Sequence, residues 1–209
     1  MIKTRYLLYT GIGIPLVFWN TTIICSIILG DYNHFSRMVS ELGALETETQ
    51  FIFSTGLVLC SILSVFFVIG LYKVCKEIGI SVIPVLIILF YSVSIAGAAL
   101  YPMPLQLHQI LGMPSILLIF SPLMSLVLWN RNSHLWNIKE MSIVSFLIMS
   151  LGFMVFMPDV LENYFGLKQR FFHIGWSIWF VYLSIRFSKL LRLLSKDNNC
   201  HRSISGKWV

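Results

Sequence analysis

Charge is what this sequence lacks. Asp, Glu, Lys and Arg make up 11% of its 209 residues, against about 25% in soluble domains. So few charges cannot cover a water-facing surface, and mean hydropathy is +0.81. A soluble protein with a very apolar core would show apolar segments of roughly 10–14 residues; those here are longer and recur along the chain. Cysteine is also scarce. Cys25, Cys60, Cys75 and Cys200 have no paired spacing, which argues against a disulfide framework or a zinc finger and for small buried hydrophobes. A phosphate loop, a glycine-rich dinucleotide turn and histidines at haem-ligand spacing are all missing. Acidic residues are missing from the depths of the apolar runs, which counts against proton-coupled transport.

What is present is six apolar runs near the 20 residues a spanning helix needs. They cover about 6–30, 51–72, 81–100, 109–129, 141–161 and 171–193, followed by a tail at 194–209. The expected fold is all-α: a polytopic integral membrane protein with one domain over 1–209 and six transmembrane helices in one bundle. Lys3 and Arg5 before the first run imitate a secretory signal, but that run is too long for one and is read as a retained helix. Pro15, Pro84 and Pro122 fall inside runs, which neighbouring helices can accommodate. Ser94, Gly97 and Ala98 in "SVSIAGAAL" are read as a packing face.

Basic residues set the orientation. Twelve of the 15 Lys and Arg lie in the N-terminus, the 73–80 and 130–140 connections and the region from Arg186. Three, Arg37, Lys168 and Arg170, lie in the alternate connections. The positive-inside rule then puts both termini in the cytoplasm of a multi-pass inner (cytoplasmic) membrane protein. The net charge of +6 is a topology signal, not a nucleic-acid footprint. Arg186, Lys189, Arg192 and Lys196 form one helical stripe, suited to anchoring at anionic head groups. Membrane lipids are the expected partners, with a protein partner in the membrane as a second possibility and no nucleic acid.

The stretch "HFSRMVSELGALETETQF", residues 34–51, is the conspicuous polar insert. Phe35, Met38, Val39, Leu42 and Leu45 recur at helical spacing after Asp31 and Asn33. The pattern predicts a short amphipathic helix in the first outer loop. Polar groups also gather at the other outer helix ends: His108 and Gln109, Asp159 and Glu162, and Gln169, Arg170 and His173. A candidate ligand-binding set follows: Arg37, Ser40, Glu41, His108, Asp159, Arg170 and His173. Trp176 and Trp179 belong to an aromatic belt or to the bundle interior.

Three short elements carry a resemblance. "SRMVSELGA", "LYPMPLQLH" and "GLKQRFFHIGWSIWF" resemble a six-helix prokaryotic membrane family catalogued as domain of unknown function 998. The matching positions are Ser40, Glu41, Leu42 and Gly43; Pro102 and His108; and Gly166, Leu167, Gln169 and Arg170. "YPMP" departs from the pattern by lacking an acidic residue after its first proline. The resemblance implies an architecture and no activity.

Three functions remain open. In the first, the polar pocket binds a lipid head group or small ligand, as a carrier, sensor or accessory subunit needing no cofactor. Arg37 and Arg170 would fork onto a phosphate or carboxylate. The second is an intramembrane hydrolase similar in outline to zinc-dependent ceramidase-like enzymes. His108, His173 and Asp159 (or Glu41) would hold zinc and Ser40 would assist, although the His-x-x-x-His pair of those enzymes is absent. The third is a purely structural subunit.

Overall fold

The computed structural model describes residues 2–130, 132 and 135–205, and among them every regular element is a helix. The α-helices are α1 (Ile2–Leu29), α2 (Gln50–Glu77), α3 (Ile83–Leu100), α4 (Gln106–Gly112), α5 (Phe120–Leu128), α6 (Ile138–Leu151) and α7 (Phe165–Ser205). Short 3-10 segments occupy Val39–Gly43, Met113–Ile119 and Gly152–Phe156. Five stretches are long and apolar enough to cross a membrane: Lys3–Leu29, Gln50–Glu77, Ile83–Leu100, Gln106–Leu128 and Ile138–Phe156. Large side chains such as Ile27, Phe51, Val93 and Leu100 face outwards from them, as lipid-facing surface requires.

Helices adjacent in sequence are adjacent in space. α1 packs on α2, α2 on α3, α3 on the α4–α5 stretch, α5 on α6 and α6 on α7, and α7 returns to α1. The rods thus form a closed ring. α7 is not among the five apolar stretches, because Ser177, Tyr182, Ser184, Arg186 and Ser188 interrupt it. Its Trp176, Trp179, Phe180, Leu183 and Phe187 are fully buried, so its aromatic face serves the interior, while Ile174, Ile185 and Leu193 face outwards. Of the two settings expected for Trp176 and Trp179, the interior is observed.

Side-chain hydrogen bonds stitch the ring across its seams. Trp19 Nε1 donates to Ser177 Oγ at 3.1 Å. Trp179 Nε1 donates to Ser121 Oγ at 2.9 Å, and Ser121 Oγ donates on to the Pro84 carbonyl at 2.8 Å. Ser184 Oγ reaches the Leu8 carbonyl at 2.7 Å. In hydrocarbon a buried indole N–H or hydroxyl must find such partners or lose its solvation uncompensated. Cys25, Cys60 and Cys75 are buried free thiols, in keeping with the small-hydrophobe reading; the Cys200 side chain lies outside the described residues.

Four details differ from the sequence reading. The fourth run breaks at Gly112, where Pro114 starts a 3-10 segment. The fifth run ends at Phe156, before Pro158, and not at 161. The expected tail from 194 is helical as far as Ser205, since no Gly or Pro interrupts residues 194–205. The expected amphipathic helix in the first long connection is a single 3-10 turn, Val39–Gly43. Its upstream carbonyls are already engaged: Phe35 and Ser36 accept from the Leu167 and Gly166 amides, and Arg37 accepts from Arg170. An α-helix would need those same acceptors for itself.

Candidate functional site

The 31–49 connection and the start of α7 are bound together residue by residue. Arg170 is 8% exposed. Its Nη1 donates to the Arg37 carbonyl at 3.1 Å and to the Gly166 carbonyl at 3.0 Å. Its Nη2 donates to Tyr32 Oη and to His34 Nδ1, both at 3.0 Å. Tyr32 Oη in turn donates towards the Arg37 and Met38 carbonyls at 3.1 and 2.8 Å. Gln169 Oε1 accepts from the Val39 amide at 2.7 Å. Gly166 makes the approach possible, because a Cβ there would collide with the Arg37 and His34 carbonyls and with the Arg170 guanidinium. Loop carbonyls at the amide end of α7 also suit its helix dipole.

Arg37 and Glu41 complete this clamp. Arg37 Nε meets Glu41 Oε2 at 2.9 Å, and Nη1 lies 3.7 Å from Asp31. Glu41 Oε1 accepts from the Met38 amide at 2.7 Å. The hydrogen bond to Glu41 holds the Arg37 pKa above its ordinary value. Burial raises the Tyr32 pKa against the opposing pull of Arg170. Burial, and then the Arg170 charge, lower the His34 pKa, consistent with a neutral imidazole accepting from arginine. Lys168 is fully buried nearby, its Nζ donating to the Met157 carbonyl at 2.9 Å and lying 4.4 Å from the Phe165 ring centre.

Behind this clamp lies a cavity of about 450 Å³, within the range of roughly 300–1,000 Å³ typical of small-molecule sites. It is walled by α1, α2, α3, α4, α7 and the three 3-10 segments. Three of its lining residues, Phe18, Tyr91 and His173, form a ring cluster with Trp176, Phe18 lying 4.6 Å from His173 and Tyr91 5.0 Å from Trp176. Among the described residues, none that lines the cavity carries a formal charge. The polar lining groups are Ser40, Tyr91, Ser94, His108, Gln109, Ser115, Gln169 and His173. Three of them hold buried atoms with no hydrogen-bond partner: Tyr91 Oη, Ser94 Oγ and His173 Nε2.

The seven predicted residues therefore divide. Ser40, His108 and His173 line the cavity; Arg37, Glu41, Asp159 and Arg170 do not. Arg37, Glu41 and Arg170 are engaged in the clamp, which accounts for their charge without a ligand. Asp159 is exposed in the turn after Pro158. The zinc trio of His108, His173 and Asp159 is thus not brought together, and among the described residues no three His, Cys, Asp or Glu gather as a metal would need. The predicted packing face on α3 also divides. A Cβ at Gly97 would meet the Leu111 side chain, as close packing implies, while Ser94 and Ala98 line the cavity.

Residues 12–186 match the family model described as Protein of unknown function (DUF998). The chain belongs to the DUF998 family. No curated protein and no solved structure gives a significant match. The resemblance positions now have a physical role. Glu41, Gly166, Gln169 and Arg170 make the clamp, and Ser40 and His108 line the space beneath it. His108 Nδ1 lies 2.8 Å from the Tyr101 carbonyl. Two acceptors cannot bond each other, so Nδ1 carries the proton and caps the end of α3. Tyr91 was missed in sequence, where Ser94 was read only as part of a packing face; the available signal was three hydroxyls, Tyr91, Ser92 and Ser94, inside an otherwise apolar run.

Proposed function

We propose that this DUF998 protein binds a small amphiphilic molecule in the cavity under the clamp, as a carrier, sensor or accessory subunit of the membrane. The observation that carries the reading is a cavity of about 450 Å³ whose mainly apolar walls carry a few uncharged polar side chains, among them Ser40, His108, Gln109, Gln169 and His173. The surrounding Phe18, Phe53, Leu57, Ile95, Ile116 and Phe153 suit a hydrocarbon body.

In this reading the chain crosses the membrane six times, with α7 as the sixth span. Both termini lie in the cytoplasm and the cavity opens towards the extracytoplasmic side. The 12-to-3 split of basic residues supports the orientation. The inward-facing aromatics of α7 explain why a spanning helix can be less apolar than its neighbours.

The test is extraction of the purified protein with organic solvent and mass spectrometry of what is released. Wild type is expected to carry a near-stoichiometric amphiphile that Ala98→Phe, which fills the cavity, expels. An empty wild type, or identical extracts from both proteins, overturns the reading.

A further inference from the structure

The basic stripe on α7 is not uniform. Arg192 Nη2 donates to Tyr9 Oη on α1 at 2.9 Å, whereas Arg186 and Lys189 line a separate groove of about 220 Å³ between α6 and α7. Trp136, Asn137, Met141, Tyr182 and Ile185 complete its walls. Tyr182 Oη donates to the Trp136 carbonyl at 2.9 Å, which ties the chain entering α6 to α7. Among the described residues the lining holds two cations and no acid. Glu140, in the first turn of α6, is exposed and does not line the groove. Trp136 and Ile185 are 70% and 42% exposed, so the groove is open to its surroundings. Its depth follows from helical rise. Lys189 lies about 29 Å along α7 from Arg170, at 1.5 Å per residue, close to the ~30 Å thickness of a hydrocarbon core. With the clamp at one membrane face, the groove is at head-group depth on the other. Tyr182 and Ile185 precede Arg186 and Lys189 on α7, and Met141 follows Trp136 and Asn137 into α6. The cationic end therefore meets the interface and the Ile185–Met141 end meets hydrocarbon.

We propose that this groove holds one anionic phospholipid, its phosphate received by Arg186 and Lys189 and its upper acyl chains laid along Ile185 and Met141. Basic pockets between spanning helices retain anionic lipids in this way, and an exposed tryptophan such as Trp136 suits the same depth. A zwitterionic lipid brings its own ammonium, which two cations repel. A soluble phosphate ester has no tail for the apolar end. The inference rests on α7 as a span, and it is independent of what the uncharged cavity under the clamp holds.

The experiment titrates the full chain in detergent micelles with dioleoyl phosphatidylglycerol or dioleoyl phosphatidylcholine, and native mass spectrometry counts the bound lipid. One phosphatidylglycerol is expected to bind at least tenfold tighter than phosphatidylcholine. Lys189→Gln is expected to weaken it about fivefold, the share of one charge at the membrane surface. Arg186→Gln is expected to weaken it at least as much, and the exposed Lys189 keeps the test open if that variant fails to fold. Lys73→Gln, exposed on α2 and outside the groove, should leave binding unchanged, as should Ala98→Phe in the other cavity. Glycerol 1-phosphate should not displace the lipid. Equal binding of the two lipids would overturn the site. So would equal weakening by Lys73→Gln and Lys189→Gln, which is diffuse attraction to a basic face. Displacement by glycerol phosphate would overturn the lipid in favour of a soluble phosphate ester. Loss of phosphatidylglycerol in Ala98→Phe would move the lipid to the cavity and overturn the groove.

Discussion

Substituting Arg170 separates two roles for the same residue. The sequence suggests a ligand fork; the structure gives a buried clamp with four hydrogen bonds, to the Arg37 and Gly166 carbonyls, Tyr32 Oη and His34 Nδ1. Hydrogen bonds involving a charged group contribute about 1.5–3 kcal/mol each, but four on one side chain are not additive. Some acceptors keep other partners, since Tyr32 Oη still donates to the loop carbonyls. Arg170→Ala is therefore expected to cost about 3–5 kcal/mol, the range for breaking a buried charge network. For a protein of this size that is a fall of roughly 6–20 °C in melting temperature. Arg170→Lys keeps the charge and loses the fork, so it should fall in between. Arg37→Ala, removing a partly exposed pair, should cost about 1 kcal/mol or less. The assay is thermal unfolding in detergent followed by tryptophan fluorescence, with limited proteolysis of the 31–49 connection alongside. Arg170→Ala melting within about 1 °C of wild type, with unchanged cleavage of that connection, would refute the clamp.

Acid should loosen the same clamp. The lowered pKa of His34 means that the unfolded chain binds a proton more readily than the folded one. Its stabilising contribution is complete above the ordinary value of 6.5 and is lost as pH falls through the lowered folded value. Melting temperature should thus drop between pH 7.5 and 5.5, and His34→Asn should remove that component; an unchanged pH profile in the variant would count against it. Gly166→Ala should open the connection to hydrogen exchange, because its Cβ meets the Arg37 and His34 backbone carbonyls as well as the Arg170 guanidinium; protection equal to wild type would contradict the close approach. Ligand-free Tyr91→Phe and Ser94→Ala should melt within about 1 °C of wild type or higher, since each deletes an unpaired hydroxyl; a marked drop would reveal a partner inside the protein. Single cysteines replacing Asp159 and Glu77 should react with a membrane-impermeant maleimide from opposite sides of intact cells; labelling from one side would break the alternation.

Composition and run length were enough to reach an all-helical, membrane-type chain, because the bilayer imposes both. They also placed Ser40, His108 and His173 in one region, since helix ends that alternate across a membrane form a layer. The fate of charge was not legible. Arg170 and Glu41 look like ligand groups in a linear sequence, and only the close approach at Gly166 reveals that the loop backbone absorbs them. Lys168 registered only as a topology charge, yet it is fully buried and bonded to Met157. Asp159 does not line the cavity that His108 and His173 border, and helical rise alone could not separate them. Ser94 was hidden by the opposite error: a small hydroxyl beside Gly97 and Ala98 reads as helix packing until the residue is found on a cavity wall.

The breaks in the helices and the space they border are one feature. Irregular backbone at membrane depth survives where it is buried in protein or lines a cavity, and both long 3-10 interruptions line this one. Gly112 and Ala98 are small residues on its walls, whereas Gly152 is small because a Cβ there would collide with Phe172. In the proposed binding reading an amphiphile occupies this volume: the walls at Phe18, Phe53, Leu57 and Phe153 suit an apolar body, and Ser40, His108, Gln109 and Gln169 suit a small polar head.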